Sequence, residues 1–288
     1  MDILIYGTIN SFSLALMAIG FTLVYGISRL PNFAHGALYV ITGFIVWSFV
    51  NLLGLHYLVG ILLALIITGL VGAAIYQFVL IRVRGMATSE IIASYAIGLA
   101  ILEGIRWRGF KGMTYTLAPF VEGSIEIAGI PVDLQRVIMV GIGVVVVAFL
   151  WIFTHFNRIG LALRGMAQDE RAAMMLGIDS DLMALIAMAL GSILAGLAAV
   201  AILPLGNIVV EAGYRVLILA IAVCIVGGLG SWVGAVLAAF MIGFAQIITD
   251  AYVASHFRIV VALLAIIITL ILRPSGLFGR QKELEERV

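Results

Sequence analysis

The chain is poor in charge and in cysteine, the two features that mark most soluble and secreted folds. Asp, Glu, Lys and Arg make up 11% of its 288 residues, against roughly a quarter in an ordinary soluble domain. So few charges cannot cover a water-facing surface of this size, which excludes a soluble globular fold. The single cysteine, Cys224, excludes an intramolecular disulfide framework and, inside an apolar run, is expected to pack as a small hydrophobe. A net charge of +1 with scattered cations gives no polyelectrolyte signal, so no nucleic-acid partner is expected. HExxH pairs, GxSxG elbows and Cys/His clusters are absent, so the chain is not expected to be an enzyme, and no metal site is expected. The phosphate loop GxxxxGK[ST] is missing too, so any ATP used with this chain is hydrolysed on separate subunits and no cofactor is expected on the chain itself. The apolar opening lacks a basic leader and runs to about Ser28, too long for a signal-peptide core, which predicts a retained helix.

What the chain has is hydrophobic residues, 64% of the total. A bilayer core takes about 20 apolar residues in helical form, because lipid offers no partner to an open backbone group. Such runs fall at Ile3–Ser28, Asn32–Asn51, Tyr57–Ile81, Ser89–Trp107, Leu134–His155, Leu182–Leu203, Gly213–Gly227, Trp232–Asp250 and Phe257–Leu272. The fold class is therefore all-α, a polytopic transmembrane bundle in a single domain, residues 1–288, with about eight or nine spans and broken helices. The short seventh run and the eighth, joined by Gly227-Gly228-Leu229-Gly230-Ser231, are open to reading as a re-entrant pair. An external N-terminus and cytoplasmic C-terminus place ten cations inside and six outside, the direction the positive-inside rule favours. The inside set is Arg29, Arg82, Arg84, Arg158, Arg164, Arg171, Arg273, Arg280, Lys282 and Arg287.

Two connections are long. The external one, 108–133, alternates Ile125, Ile127 and Val132 between Pro119, Gly129 and Pro131, predicting a hairpin or cap. The cytoplasmic one, 157–181, repeats apolar residues at helical spacing from Leu161 to Leu176, with Arg164, Gln168, Asp169 and Arg171 facing elsewhere and Gly177 at the C-terminal cap position. This predicts one amphipathic helix outside the bilayer. Ala172 and Ala173 suit close approach by a partner protein, while a helix resting on lipid fits the same pattern.

Polar groups at membrane depth are costly unless paired or wetted. Pro31 breaks the helix ahead of Asn32, Phe33, His35 and Gly36, and open amides at the start of the second span are expected to line a path for a carboxylate-bearing solute. Capping by Asn32 and a bond from His35 to a neighbouring helix is the structural alternative. Gly227, Gly228, Gly230 and Ser231 repeat the pattern, with Ser231 placed to cap the next span. His35-Gly36-Ala37-Leu38 also echoes Val233-Gly234-Ala235-Val236. Glu103 and Arg106 are spaced to pair, Glu90 and Asp250 are expected to be solvated at helix ends, and Gly69, Gly72, Gly191 and Gly196 are expected to pack helices closely.

Several segments carry a family resemblance. Arg164-Gly-Met-Ala-Gln-Asp-Glu-Arg-Ala-Ala-Met-Met-Leu-Gly-Ile-Asp resembles the coupling loop of ABC importer permeases. Phe21 to Gly36, Gly227-Gly-Leu-Gly-Ser-Trp-Val-Gly-Ala-Val and Leu272-Arg-Pro-Ser-Gly-Leu-Phe-Gly are similar to the branched-chain amino acid permeases of LivH type. Pro31 and Trp232 depart from that pattern, and both touch the presumed path.

The resemblance implies an inner-membrane permease subunit of an ATP-driven importer for branched-chain or related amino acids. Its partners would be a second permease subunit, most simply a different one, two cytoplasmic ATPases and a periplasmic solute-binding protein. Arg164, Gln168, Asp169, Ala172, Ala173 and Gly177 would couple to the ATPases; Asn32, Phe33, His35, Gly36 and the Gly227–Ser231 turn would shape the path. A secondary transporter or channel for small polar solutes such as urea or amides is the competing class, which the shortage of buried acids disfavours.

Overall fold

A computed structural model describes residues 1–28, 31–108 and 115–279. The expected cations Arg29, Lys111, Arg280, Lys282 and Arg287 lie outside that set, as does the side chain of Arg108.

The helices are α1 (Asp2–Ser28), α2 (His35–Asn51), α3 (Tyr57–Val83), α4 (Ala87–Arg108), α5 (Leu134–Phe156), α6 (Arg158–Gln168), α7 (Glu170–Met175), α8 (Ser180–Ile202), α9 (Val210–Gly227), α10 (Trp232–Tyr252) and α11 (Arg258–Leu272). Among the described residues, eight helices are long and apolar enough to cross a bilayer, counting α11 with its leading turn from Ser255, and the 17-residue α2 is a shorter apolar helix beside them. The re-entrant reading of the seventh and eighth runs gives way: α9 has 18 residues, about 27 Å of helix, and α10 returns beside it as a separate span.

The polypeptide thus passes back and forth between two ends. One carries the antiparallel pair β1 (Ser124–Ile127) and β2 (Ile130–Asp133), the other the α5–α8 linker. The strands pair from Ser124 with Asp133 to Ile127 with Ile130. Ala128 and Gly129 both take positive φ, 52° and 80°, the geometry a two-residue hairpin turn needs to match strand twist. Tyr6 and Tyr57 donate to the Pro131 and Ala118 carbonyls at 3.1 and 2.8 Å, fastening this cap to α1 and α3.

At the centre is α1, packed against α5, α8, α9 and α10. Lipid tails are as apolar as leucine, so close backbone approach and polar contacts hold such helices together. A Cβ on Gly20 would overlap α8 at Gly191, and one on Gly243 would overlap α1 at Ser11. Gly69, Gly72 and Gly196 likewise pack on Ile193, Ser192 and Leu65. Between the faces, Thr42 and Thr68 share a hydroxyl bond of 2.8 Å. Cys224 is fully buried, as expected of a packed hydrophobe.

Candidate functional site

The α2 helix starts deep inside the bundle. Its first residue, His35, places Nε2 2.9 Å from the Met17 carbonyl of α1, and Gly98, midway along α4, lies against Ala34. The Pro31–Ala34 segment therefore re-enters to about the mid-depth of α1, α4 and α8. A carbonyl only accepts, so Nε2 carries the hydrogen in the His35 bond.

Three amides at this break are taken. Phe33 N donates to Ser94 Oγ at 3.2 Å, Ala34 N to Asn32 Oδ1 at 3.0 Å and His35 N to the Asn32 carbonyl at 3.1 Å. Asn32 forms a turn ahead of α2 and His35 bonds a neighbouring helix, but the residue at the cap position is Ala34, no side chain caps α2, and Asn32 is not its cap. Gly36 is where α2 crosses α9, since a Cβ there would overlap the Gly213 carbonyl. Beside the break is a cavity of about 30 Å³ lined by Asn32, Ser94, Glu90, Tyr76 and Arg84, room for about one or two waters.

The glycine turn lies against the linker end of α1. Gly228 and Gly230 take φ values of 101° and 82°, a region where glycine carries no steric penalty. A Cβ on Gly230 would stand 3.0 Å from Gly26, and one on Gly227 would overlap Gly234 of α10. Ser231 Oγ accepts from Gly234 N at 3.1 Å, the expected cap. The echo between His35–Leu38 and Val233–Val236 thus corresponds to two glycine crossings, Gly36 on Gly213 and Gly234 on Gly227, both on α9. Leu277 N and Phe278 N donate to the Val226 and Gly227 carbonyls at 3.0 and 3.1 Å, so the tail after α11 braces the turn.

The linker departs from the single helix expected over Leu161–Leu176. It forms α6 and α7, which meet at Asp169, and the physical reason is local. Asp169 takes extended backbone angles and its Oδ1 accepts from Ala172 N at 2.9 Å, so the residue starts a new helix instead of continuing the old one. Asn157 caps α6 in the same way, accepting from Ile159 N at 2.9 Å.

Gly177 ends α7 with φ 84°; its N–H donates to Met174 and that of Ile178 to Ala173, at 2.9 and 3.2 Å, closing the Schellman pattern. Arg164, Gln168, Asp169 and Ala172 are at least partly exposed, but Ala173 is 4% exposed and packs into its own chain. The outward apolar residues are instead Met174, Met175 and Leu176, at 46%, 90% and 83% exposure.

One cluster joins this linker to the spans, and its central residue, Arg84, enters the sequence reading only through the orientation of the helices. Arg84 follows α3 and pairs with Glu170 at 2.8 Å and with Asp181. It also donates to Ser180 Oγ, which donates onward to Glu170 Oε1 at 2.7 Å, and Tyr76 OH donates to Asp181 Oδ1 at 3.2 Å. Tyr76 opens a π turn, Tyr76–Leu80, inside α3, the kind of helix irregularity that concentrates at functional places.

Burial works against the Arg84 charge, but Tyr76, Asp181 and Glu170 outweigh it and hold the guanidinium above its ordinary pKa. Glu90, expected to be solvated, is 7% exposed, with Oε1 accepting from Gly85 N at 2.7 Å. Glu103 and Arg106 do pair, at 3.5 Å, and Arg106 reaches Glu211 at 2.9 Å.

Eight helices long and apolar enough to cross a bilayer, among the described residues, make this the fold of a polytopic membrane protein. The chain belongs to the family described as the permease component of the branched-chain amino acid transport system, which matches residues 3–272. Among relatives, the high-affinity branched-chain amino acid permease BraD of Pseudomonas aeruginosa is 30% identical, covering 96% of this chain and 95% of its own. LivH of Salmonella typhimurium is 28% identical over 92% and 91%, and a probable LivH of Methanocaldococcus jannaschii 27% over 94% and 90%. A solved structure of PsaBC from Streptococcus pneumoniae with a Fab matches at TM-score 0.54 and 14% identity, covering 100% and 96% of the two chains, a likeness of fold.

Proposed function

We propose that this chain is the permease subunit of an ATP-binding-cassette importer that carries branched-chain or related amino acids across the bacterial inner membrane. In this reading the linker end faces the cytoplasm and the hairpin end faces outward. A second, different permease subunit completes the membrane part, two ATPases dock on the linker, and a solute-binding protein delivers cargo from outside. ATP is bound and hydrolysed on the ATPases, and the chain itself makes or breaks no covalent bond.

The observation that carries this reading is the build of α7. Its outward face offers Met175 and Leu176 to a partner, while Glu170 at its first turn is tied through Arg84 to α3 and through Ser180 to α8. A push on α7 therefore reaches two spans at once. From α8 it passes to the Gly191–Gly20 crossing, beside which His35 starts α2. This describes a two-state element biased from a nucleotide site, with Asn32, Phe33, His35, Gly36 and the Gly227–Ser231 turn on the part that opens. Arg164, Gln168, Asp169, Ala172 and Gly177 shape and present the linker, and Ala173 seats it.

A photo-cross-linker at Gln168 is expected to capture an ATP-hydrolysing protein in membranes of cells that express the assembled system. Capture of no such protein, together with leucine uptake that continues without nucleotide, would favour the ATPase-independent transporter instead.

A further inference from the structure

Two cavities open in the hairpin half of the bundle, of about 460 and 500 Å³, and Asn10, Ser13 and Arg258 line both. These volumes lie in the range of small-molecule sites, whereas the cavity beside Asn32, at about 30 Å³, is too small for more than water. The second cavity descends to Met17, whose carbonyl takes the His35 bond, so its floor is the mid-depth layer where α2 begins.

The first cavity has a charged rim and an apolar wall. Asp2, Asp250, Arg136 and Arg258 supply equal numbers of acidic and basic side chains, and Ile9, Met139 and Leu205 are among the apolar lining. Charges that balance, with Asp250 and Arg258 already joined in an ion pair, favour a dipolar solute over a net cation or anion, and the wall suits an aliphatic side chain. Asp250 pairs with Arg258 through Oδ2, yet its Oδ1 is buried without a hydrogen-bond donor among the described residues. That oxygen has no surface open to the cavity, so an ammonium group supplies the donor it lacks only by opening the Asp250–Arg258 pair. Arg258 is held by its surroundings: Gln246, 2% exposed, donates to the Arg258 carbonyl at 3.0 Å and accepts from Asn10 at 3.0 Å. Arg136 is set by Asp133 at 3.0 Å and by the Tyr6 ring, 5.7 Å from its guanidinium carbon.

We propose that this cavity is a binding site for an apolar α-amino acid in its zwitterionic form, with Asp250 receiving the ammonium, Arg136 and Arg258 the carboxylate, and the Ile9–Met139–Leu205 wall the side chain. The inference rests on the permease reading and assigns the place where solute waits above the mid-depth layer.

The test compares uptake of labelled leucine by the assembled transporter in the presence of leucine, leucinamide or 4-methylpentanoate. The two analogues lack the carboxylate and the ammonium respectively, and since the solute-binding protein also selects among them, the cavity is read from how their competition differs between the unaltered transporter and its variants. Asp250→Asn is expected to raise the half-saturating leucine concentration at least tenfold while leaving competition by 4-methylpentanoate in place. Arg136→Gln is expected to weaken leucine and 4-methylpentanoate and to spare leucinamide. Should either variant fail to assemble, Ser13→Cys reports independently, because native Cys224 is fully buried. A methanethiosulfonate reagent is expected to label Ser13→Cys, and leucine to slow that labelling at least threefold. Unchanged half-saturation in Asp250→Asn and Arg136→Gln, or labelling of Ser13→Cys indifferent to leucine, would overturn the site while leaving the permease role standing. Absence of leucine uptake by the unaltered system would instead strike the substrate reading on which the site depends.

Discussion

Arg84 and Glu170 stand 86 positions apart in the chain and meet at 2.8 Å, joining the end of a transmembrane helix to the start of an extramembrane one. Their side chains are 28% and 29% exposed, so solvent screens the pair and its direct contribution to stability is about 1 kcal/mol or less. Under the proposed function its role is mechanical. Arg84→Gln is expected to lower the thermal midpoint by only a few degrees and yet to reduce leucine uptake severalfold, with ATPase activity less affected. A double-mutant cycle with Glu170→Gln is expected to be non-additive in uptake; additive losses would show that the two residues act separately.

Met175 and Leu176 offer a sharper probe of docking than Ala173. An acidic residue at buried Ala173 would disturb the seat of α7 itself, so lost activity there would not separate folding from docking. Leu176→Asp, at 83% exposure, is expected to leave the thermal midpoint of the purified chain unchanged and to abolish co-purification of an ATPase partner. Retention of that partner by Leu176→Asp would place docking elsewhere.

Gly177 separates backbone strain from contact. A Cβ at this position meets none of the described residues within 4 Å, and φ is 84°, so Gly177→Ala loses only conformational ease, about 1–2 kcal/mol. Asn tolerates this region better, and Gly177→Asn is expected to recover much of the loss. Chemical denaturation of the purified chain measures both.

Gly36 and Gly104 are expected to behave in opposite ways. Gly36→Ala overlaps the Gly213 carbonyl where α2 crosses α9 and is expected to prevent stable folding or reduce membrane yield sharply. A methyl group added at Gly104, on α4, would meet none of the described residues within 4 Å, so Gly104→Ala is expected to stabilise by up to about 1 kcal/mol through helix propensity. Detergent melting curves distinguish the two.

Much of the fold was legible because its causes are local. Apolar run length sets the spans, positive-φ glycines set the turn at Gly228–Gly230, and the Ile125, Ile127, Val132 alternation with Gly129 sets the hairpin. The family was legible in the linker and the glycine turn. What the sequence hid is mostly non-local. Nothing near Arg84 announces Glu170 and Asp181, and nothing near Asn32 announces that Ser94 will take the Phe33 amide. The break at Asp169 was hidden for another reason: apolar periodicity continues across it, while the carboxylate that caps α7 lies on the polar face that such patterns ignore. Ala173 shows the same limit, since an alanine suits either a partner surface or the chain's own interior.

The brace on the glycine turn carries a consequence for stability. The Val226 and Gly227 carbonyls receive their donors from Leu277 and Phe278, which the ribosome makes only after α10 and α11. A chain cut short before Leu277 lacks both donors and is expected to lose thermal stability in detergent while keeping every span. The turn between two helices is thus sealed by a segment about 50 residues further along the chain, so its geometry depends on a contact that no local sequence supplies.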